Sequence, residues 1–263
     1  MSKQARVAVD IGGTFTDVVL RSPDGELRSA KVLTTPENIA GGIMLGVAAA
    51  EASPEELSAF VHGTTIALNA LLEGKTPQVG LITTKGFRDV LEIMRTNRPD
   101  MYDHQQEKPV PLVPRKWRRE ISARMNYLGE SMTDVEPAEV ESIAAEFAAA
   151  GISTIAVALL HAYANPAHEK TVERILLATL PDCVVSLSSD VSRVWREFER
   201  TSTTVCNAAT KPIMRGYLGA LETSLSDKRF SGQVLIMQSN GGVMSASDAR
   251  DRPVSIDLPL ERA

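Results

Sequence analysis

Short apolar runs alternate with glycine-rich or hydroxyl-rich punctuation along the chain, and this rhythm predicts most of its elements. A first run, Val7-Ala8-Val9, passes through Asp10-Ile11 into a Gly12-Gly13-Thr14 turn and a second run ending Val18-Val19-Leu20, which reads as two strands and a tight turn. The turn signal Pro23-Asp24-Gly25 introduces a third strand over residues 27–33. Pro36 opens a helix to about residue 51, where Ile39, Ile43, Leu45, Val47 and Ala48 give a broad apolar face and Gly46 allows close packing. A strand over 60–65 then precedes a helix over 66–73 ended by Gly74, and a strand over 79–84 precedes a helix over 86–94. Between 95 and 119 the pattern breaks. Pro99, Pro109, Pro111 and Pro114 forbid a regular helix there, so a long irregular loop is expected.

Beyond it the rhythm resumes with a strand over 120–129, a helix over 137–150, a strand over 154–160, a helix over 167–180 and a strand over 184–187. Such β-α-β-α-β alternation predicts a largely parallel sheet covered by helices, hence an α/β fold. A long helix from Glu197 to about residue 225 is expected to break near Pro212. Its Thr201-Ser202-Thr203-Thr204 run is a poor helix interior, because hydroxyls compete for backbone partners. Val234-Leu235-Ile236-Met237 reads as a buried strand running into an Asn240-Gly241-Gly242 turn, and residues 251–263 show no element.

Composition narrows the function classes. The chain has 263 residues, 43% of them hydrophobic and 23% charged, as in soluble globular proteins. A net charge of −5 offers no basic field for nucleic acid, and no apolar run is long enough to span a membrane. The two cysteines, Cys183 and Cys206, lack a metal-type spacing. A soluble cytoplasmic protein is expected.

The candidate chemistry gathers at the punctuation. Two glycines in succession allow a tight turn with positive φ, and they keep Cβ atoms away from anything docking on the main chain. Exposed N–H groups of such a turn form an anion-binding concavity, to which Thr14 and Thr16 add hydroxyls. Asp10 would repel a phosphate but orient the water shell of a phosphate-bound Mg²⁺. The same glycines also suit a plain hairpin. In His62-Gly63-Thr64-Thr65, either threonine is a natural helix N-cap, and His62 reads equally as a ligand or as a satisfied structural residue. Arg95 and Arg98 suit a carboxylate or phosphate clamp, or a solvated surface. His161 follows a strand, where ligands of α/β sheets lie, whereas His104 and His168 read as surface residues.

The Asp10-Ile11-Gly12-Gly13-Thr14-Phe15-Thr16-Asp17 segment resembles the first phosphate loop of the actin and sugar-kinase superfamily. Five stretches in order resemble the ATP-dependent hydantoinase A and 5-oxoprolinase family, which includes acetone and acetophenone carboxylase subunits. They are that turn, His62-Gly63-Thr64-Thr65 with Asn69-Ala70-Leu71-Leu72-Glu73, Asn97-Arg98-Pro99-Asp100, Phe198-Glu199-Arg200-Thr201-Ser202-Thr203-Thr204, and Gln238-Ser239-Asn240-Gly241-Gly242. The resemblance, over about residues 5–254, implies an actin/ribonuclease H-like mixed sheet flanked by helices, with a first domain over 1–182 and an incomplete second over 183–263. It implies ATP and Mg²⁺ as cofactors and phosphorylation of a cyclic amide carbonyl. Gly12, Gly13, Thr14, Thr16, Thr64 and Thr65 would bind the nucleotide, Asp10 would link to the metal, and Asp10 and His62 would be catalytic. A hydantoinase B-type subunit is the implied partner, with neither nucleic acid nor membrane. No second Gly-Gly-Thr occurs, so the chain is expected to be the inactive first part of such an enzyme. A carboxylase-like subunit and a non-enzymatic assembly module are the alternatives.

Overall fold

The computed structural model describes residues 4–35, 38–95, 102, 103, 105 and 107–257. The chain begins with β1 (Ala5–Ile11), β2 (Phe15–Arg21), β3 (Leu27–Leu33), α1 (Ile39–Ala49), β4 (Leu57–Thr64) and α2 (Ile66–Leu72). It continues through β5 (Val79–Thr84), α3 (Val90–Ile93), β6 (Arg118–Ile121), β7 (Arg124–Met125), β8 (Ser131–Thr133) and α4 (Pro137–Ala149). Then come β9 (Thr154–Ala158), α5 (Ala167–Thr179), β10 (Val184–Leu187) and α6 (Ser188–Val191). The last described elements are α7 (Glu197–Asp227), β11 (Gln233–Met237), β12 (Val243–Ser245), α8 (Ala246–Asp251) and α9 (Val254–Asp257).

These elements form two compact units, Met1–Lys75 with Ile213–Arg262, and Thr76–Pro212. In the first, the sheet order is β12-β11-β4-β1-β2-β3. The β1–β2 and β2–β3 pairs are antiparallel, while β4 runs parallel to both β1 and β11. Three parallel strands, β1, β4 and β11, therefore end at one edge of the sheet. Val7, Val9, Ile11, Val18, Leu20, Phe60 and Ile236 share a core with Ile43 and Val47 of α1 and Met214, Leu218, Leu221 and Leu225 of α7. Gly46 lets α1 approach, since a Cβ there would stand 2.8 Å from Val18 Cγ2.

The second unit is a parallel sheet in the order β10-β9-β5-β6. Ile82, Ile155 and Val157 pack with Val140, Ile143 and Phe147 of α4 and Val172 and Leu176 of α5. The mixed α/β architecture is the one expected.

Local departures have physical causes. The helix expected over 86–94 contracts to α3, because Gly86 adopts φ +90° and its N–H is taken by Glu120 Oε1 at 2.7 Å. The strand expected over 120–129 breaks into β6 and β7, and Gly129 at φ +83° closes the turn to β8. α7 runs unbroken through Pro212. An interior proline costs about 3 kcal/mol, but Met214, Leu218, Leu221 and Leu225 are almost wholly buried, each contributing about 1.5–3 kcal/mol. β8, α6, β12, α8 and α9 were not expected, and α1 begins after an Asn38 cap whose Oδ1 accepts Gly41 N–H at 2.9 Å. Pro36 and the 97–100 stretch lie outside the described residues. The units also divide the chain differently from the boundary expected at 182/183, because β11 returns to pair with β4.

Candidate functional site

The strand ends of the first unit bring three of the recognised stretches to one edge. Gly12-Gly13-Thr14 follows β1, Thr64 and Thr65 close β4, and Gln238 to Gly242 follow β11. The carboxyl ends of parallel strands are where open α/β sheets place ligands.

The 12–14 loop is pinned from outside and open within. Gly12 N–H donates to Phe15 O at 2.9 Å, Thr34 N–H to Thr14 O at 2.9 Å, and the Thr34 hydroxyl to Gly12 O at 3.0 Å. Gly13 and Thr14 are exposed, and their N–H groups have no partner among the described residues. Neither Gly12 nor Gly13 adopts positive φ, which corrects the expectation. A Cβ on Gly13 would meet nothing within 4 Å. Neither backbone conformation nor internal packing thus asks for glycine at 13.

Thr16 differs from Thr14. It is buried, and its hydroxyl meets Thr34 Oγ1 at 3.1 Å, so it braces the loop through Thr34 rather than lying open to a ligand. Its spacing of two from Val18 and Leu20 places it on the core face, a signal available in the sequence. Thr34 was missed, because only the Phe15–Leu33 pairing brings it beside the loop.

Asp10 emerges on the other face of β1, exposed and without an ion pair or hydrogen bond among the described residues. Its neighbour Asp17 is neutralised by Lys31 at 2.6 Å. Across the ladder Asp10 pairs with Gly63, where a Cβ would stand 2.9 Å from Asp10 Oδ1. Glycine at 63 therefore leaves room for that carboxylate.

His62 faces the opposite way. Its register partner is Val9, on the core face, and its exposure is 0%. The Nδ1–H donates to Val9 O at 3.2 Å, which leaves Nε2 to accept from the Tyr217 hydroxyl. Burial lowers the His62 pKa to about 4 and pushes the Tyr217 phenol upward. The ring is neutral and satisfied, and it lies across the sheet from Asp10. It does not reach the open side of the loop, which departs from the catalytic role expected. Thr64, the last residue of β4, accepts the Ile66 N–H through Oγ1 at 3.3 Å. The N-cap position falls to exposed Thr65, whose hydroxyl makes no capping bond and instead accepts from Asn69 Nδ2 at 3.2 Å, so the side-chain cap expected of either threonine is not formed. Beyond β11, Asn240 Oδ1 accepts Gly242 N–H at 2.8 Å and Gly241 takes φ +84°.

The other candidates belong to the second unit. Arg95 clamps the chain's own Glu199, with Nε to Oε1 at 2.8 Å, and holds that carboxyl below its usual pKa. Arg98 and His104 lie outside the described residues. His168 is buried rather than at the surface, with Nε2 3.0 Å from Ser131 Oγ. The hydroxyl run in α7 is compensated by packing: Thr204 donates to Arg200 O at 2.6 Å, and buried Arg200 donates to Leu159 O and Val194 O, each at 2.9 Å.

Residues 6–180 match the hydantoinase/oxoprolinase N-terminal region, and residues 200–258 match the hydantoinase/oxoprolinase region. The chain belongs to the hydantoinase/oxoprolinase family. It is 33% identical over 266 residues to the caprolactamase alpha subunit of Pseudomonas jessenii, covering 97% of this chain and 38% of that subunit. It is 30% identical to 5-oxoprolinase 1 of Arabidopsis thaliana, over 92% of this chain and 22% of that protein. The crystal structure of the ATP-dependent caprolactamase superposes with a TM-score of 0.85 at 30% identity, over 96% of this chain and 38% of that one. A nucleotide-free acetone carboxylase structure gives 0.86 at 25% identity, over 96% and 39%. The chain thus spans less than two fifths of the length of these relatives. Among the described residues, no helix is long and apolar enough to cross a membrane.

Proposed function

We propose that the 12–14 loop holds the phosphates of ATP, and that this chain supplies that part of an ATP-dependent enzyme acting on a cyclic amide. The observation that carries the reading is Gly13. Neither φ nor packing among the described residues requires glycine there, the space that a Cβ would take is open, and the N–H groups of Gly13 and Thr14 are unpartnered among the described residues. That cradle fits a phosphate oxygen approaching the backbone. The unpartnered Asp10 carboxylate fits the water shell of a phosphate-bound Mg²⁺, and no trio of metal-ligating side chains gathers among the described residues.

When bound, ATP would supply the phosphoryl group that makes an inert amide carbonyl open to attack by water. The chain's own part is positioning. Gly13 and Thr14 would donate backbone N–H groups, with the Thr14 hydroxyl beside them. Asp10 would accept from metal-bound water, in the room left by Gly63. Thr16 braces the loop through Thr34, and His62, with Tyr217, fixes the β1–β4 register from the core side. Thr65 would offer its hydroxyl at the same edge, while the Thr64 hydroxyl is taken up by the Ile66 N–H. Gly12 contributes the turn.

The cyclic-amide reading is supported by relatives named caprolactamase and 5-oxoprolinase. Relatives named as alpha, beta and gamma subunits support a hydantoinase B-type partner, and use of ATP suits a cytoplasmic setting. A second reading, ketone carboxylation, is favoured by 32% identity to the acetophenone carboxylase gamma subunit of Aromatoleum aromaticum. The test is the native assembly, purified through a tag on this chain and given Mg-ATP with a panel of lactams, or with ketones and bicarbonate. ATP consumed in step with lactam opening is expected. Turnover only with ketone and bicarbonate selects the second reading, and turnover without ATP overturns both.

A further inference from the structure

The second unit has an arrangement of its own that the phosphate loop does not use. Its strand order, β10-β9-β5-β6, reverses direction between β5 and β9: the chain leaves β5 for β6 on one side, then returns to β9 on the other. Ligands of open parallel sheets bind in the crevice at such a switch point, beyond the carboxyl ends of the strands. The segments leaving β5, β6 and β9 meet there. Lys85 N–H bonds Ile121 O at 2.9 Å, Leu160 N–H bonds Thr84 Oγ1 at 3.0 Å, and Asn165 Nδ2 bonds Gly129 O at 2.9 Å.

Two side chains at this edge are unspent. His161 holds φ +60°, in the left-handed region that few residues with side chains adopt. Its Nδ1 lies 3.3 Å from the Tyr163 hydroxyl, and its Nε2 has no partner among the described residues. Arg124 is half-buried, its guanidinium 5.3 Å from the Phe87 ring centroid, with no carboxylate or carbonyl partner among the described residues. Stacking on an aromatic face leaves the guanidinium edge free for a two-pronged contact. The nearby carboxylate of Glu120 is occupied by the N–H groups of Gly86 and Arg88. A second cation, buried Arg200, sits 5.6 Å from the Tyr163 ring centroid, and its Nε has no partner among the described residues.

We propose that the β5/β9 switch point is a binding site for a small organic carboxylate, with Arg124 as its charge partner and His161 as a second hydrogen-bonding contact. One free guanidinium and one neutral imidazole match a monoanion with two oxygens in one plane. The imidazole is held below its ordinary pKa by burial and by the charges of Arg124 and Arg200, against the weaker opposing pull of Glu197. This site does not depend on the phosphate reading of the first unit.

The experiment is an NMR titration of the full chain with sodium benzoate, following the His161 ring signals, which a His161→Gln variant assigns. Benzyl alcohol is the neutral control and inorganic phosphate the competing anion. Benzoate should move those signals saturably and raise the His161 titration midpoint, because a bound carboxylate neutralises Arg124. Arg124→Gln should weaken binding about tenfold or more. Arg124→Lys, which keeps the charge, should bind with intermediate strength even if the Gln variant folds poorly. No saturable shift, an equal shift with benzyl alcohol, or a response to phosphate but not to benzoate would overturn the proposal.

Discussion

At the scale of single residues, parity along a strand separates the proposed ligand side of the site from its support. Asp10 and Gly63 share one face of the sheet, and Val9 and His62 share the other. His62 makes its contribution through stability, and the sign follows from its pKa. The ordinary value of 6.5 falls to about 4 in the fold, through burial. Between these values the unfolded chain binds a proton that the folded chain refuses. Stability is therefore complete above about pH 6.5 and is lost as pH falls towards 4, by on the order of 3 kcal/mol. Urea unfolding across that window should show the loss in the parent chain and a flatter profile in His62→Gln. Parallel profiles would contradict the buried neutral ring. The sequence left His62 open between ligand and structural roles, since its character depends on Tyr217, which α7 supplies from far along the chain.

At the scale of elements, β4 controls what β1 presents. A Cβ at Gly63 would press on Asp10 Oδ1, the mobile end of a side chain, so Gly63→Ala should displace the carboxylate with little effect on the fold. In the native assembly, Gly63→Ala and Asp10→Asn should both lower kcat strongly while changing the KM for ATP little, because metal geometry matters most in the transition state. An unchanged kcat in Asp10→Asn would remove the metal assignment. An unchanged kcat in Gly63→Ala alone would show that the carboxylate has other room. Strands, helices and the glycine turn were legible because they are written in local pattern: strands over 27–33, 79–84 and 184–187 appear as expected. What local pattern could not show was pairing. Thr34 reaches the loop only through the β2–β3 register, and α7 crosses Pro212 only because its far half buries four apolar side chains in the first unit.

At the scale of the whole chain, the first unit is discontinuous: its sheet is completed by β11, which pairs with β4 only after the whole second unit has intervened. No reading of neighbouring residues reveals such a return, which is why the two compact units were not legible in the sequence. The return also brings the 238–242 turn to the edge that carries the 12–14 loop. The central claim is that this loop is open for a ligand rather than for the fold, and Gly13→Ala tests it most directly. Because φ is not positive and the space is empty, stability should hold within about 0.5 kcal/mol, or rise slightly as the unfolded chain loses freedom. The measurement is a Mg-ATP titration of the folded protein followed at the backbone N–H signals of residues 13 and 14, beside a melting curve. The account predicts saturable shifts in the parent chain and their loss in an equally stable Gly13→Ala variant. Identical titrations in the two proteins, or no response of these signals to millimolar Mg-ATP in the parent, would contradict it.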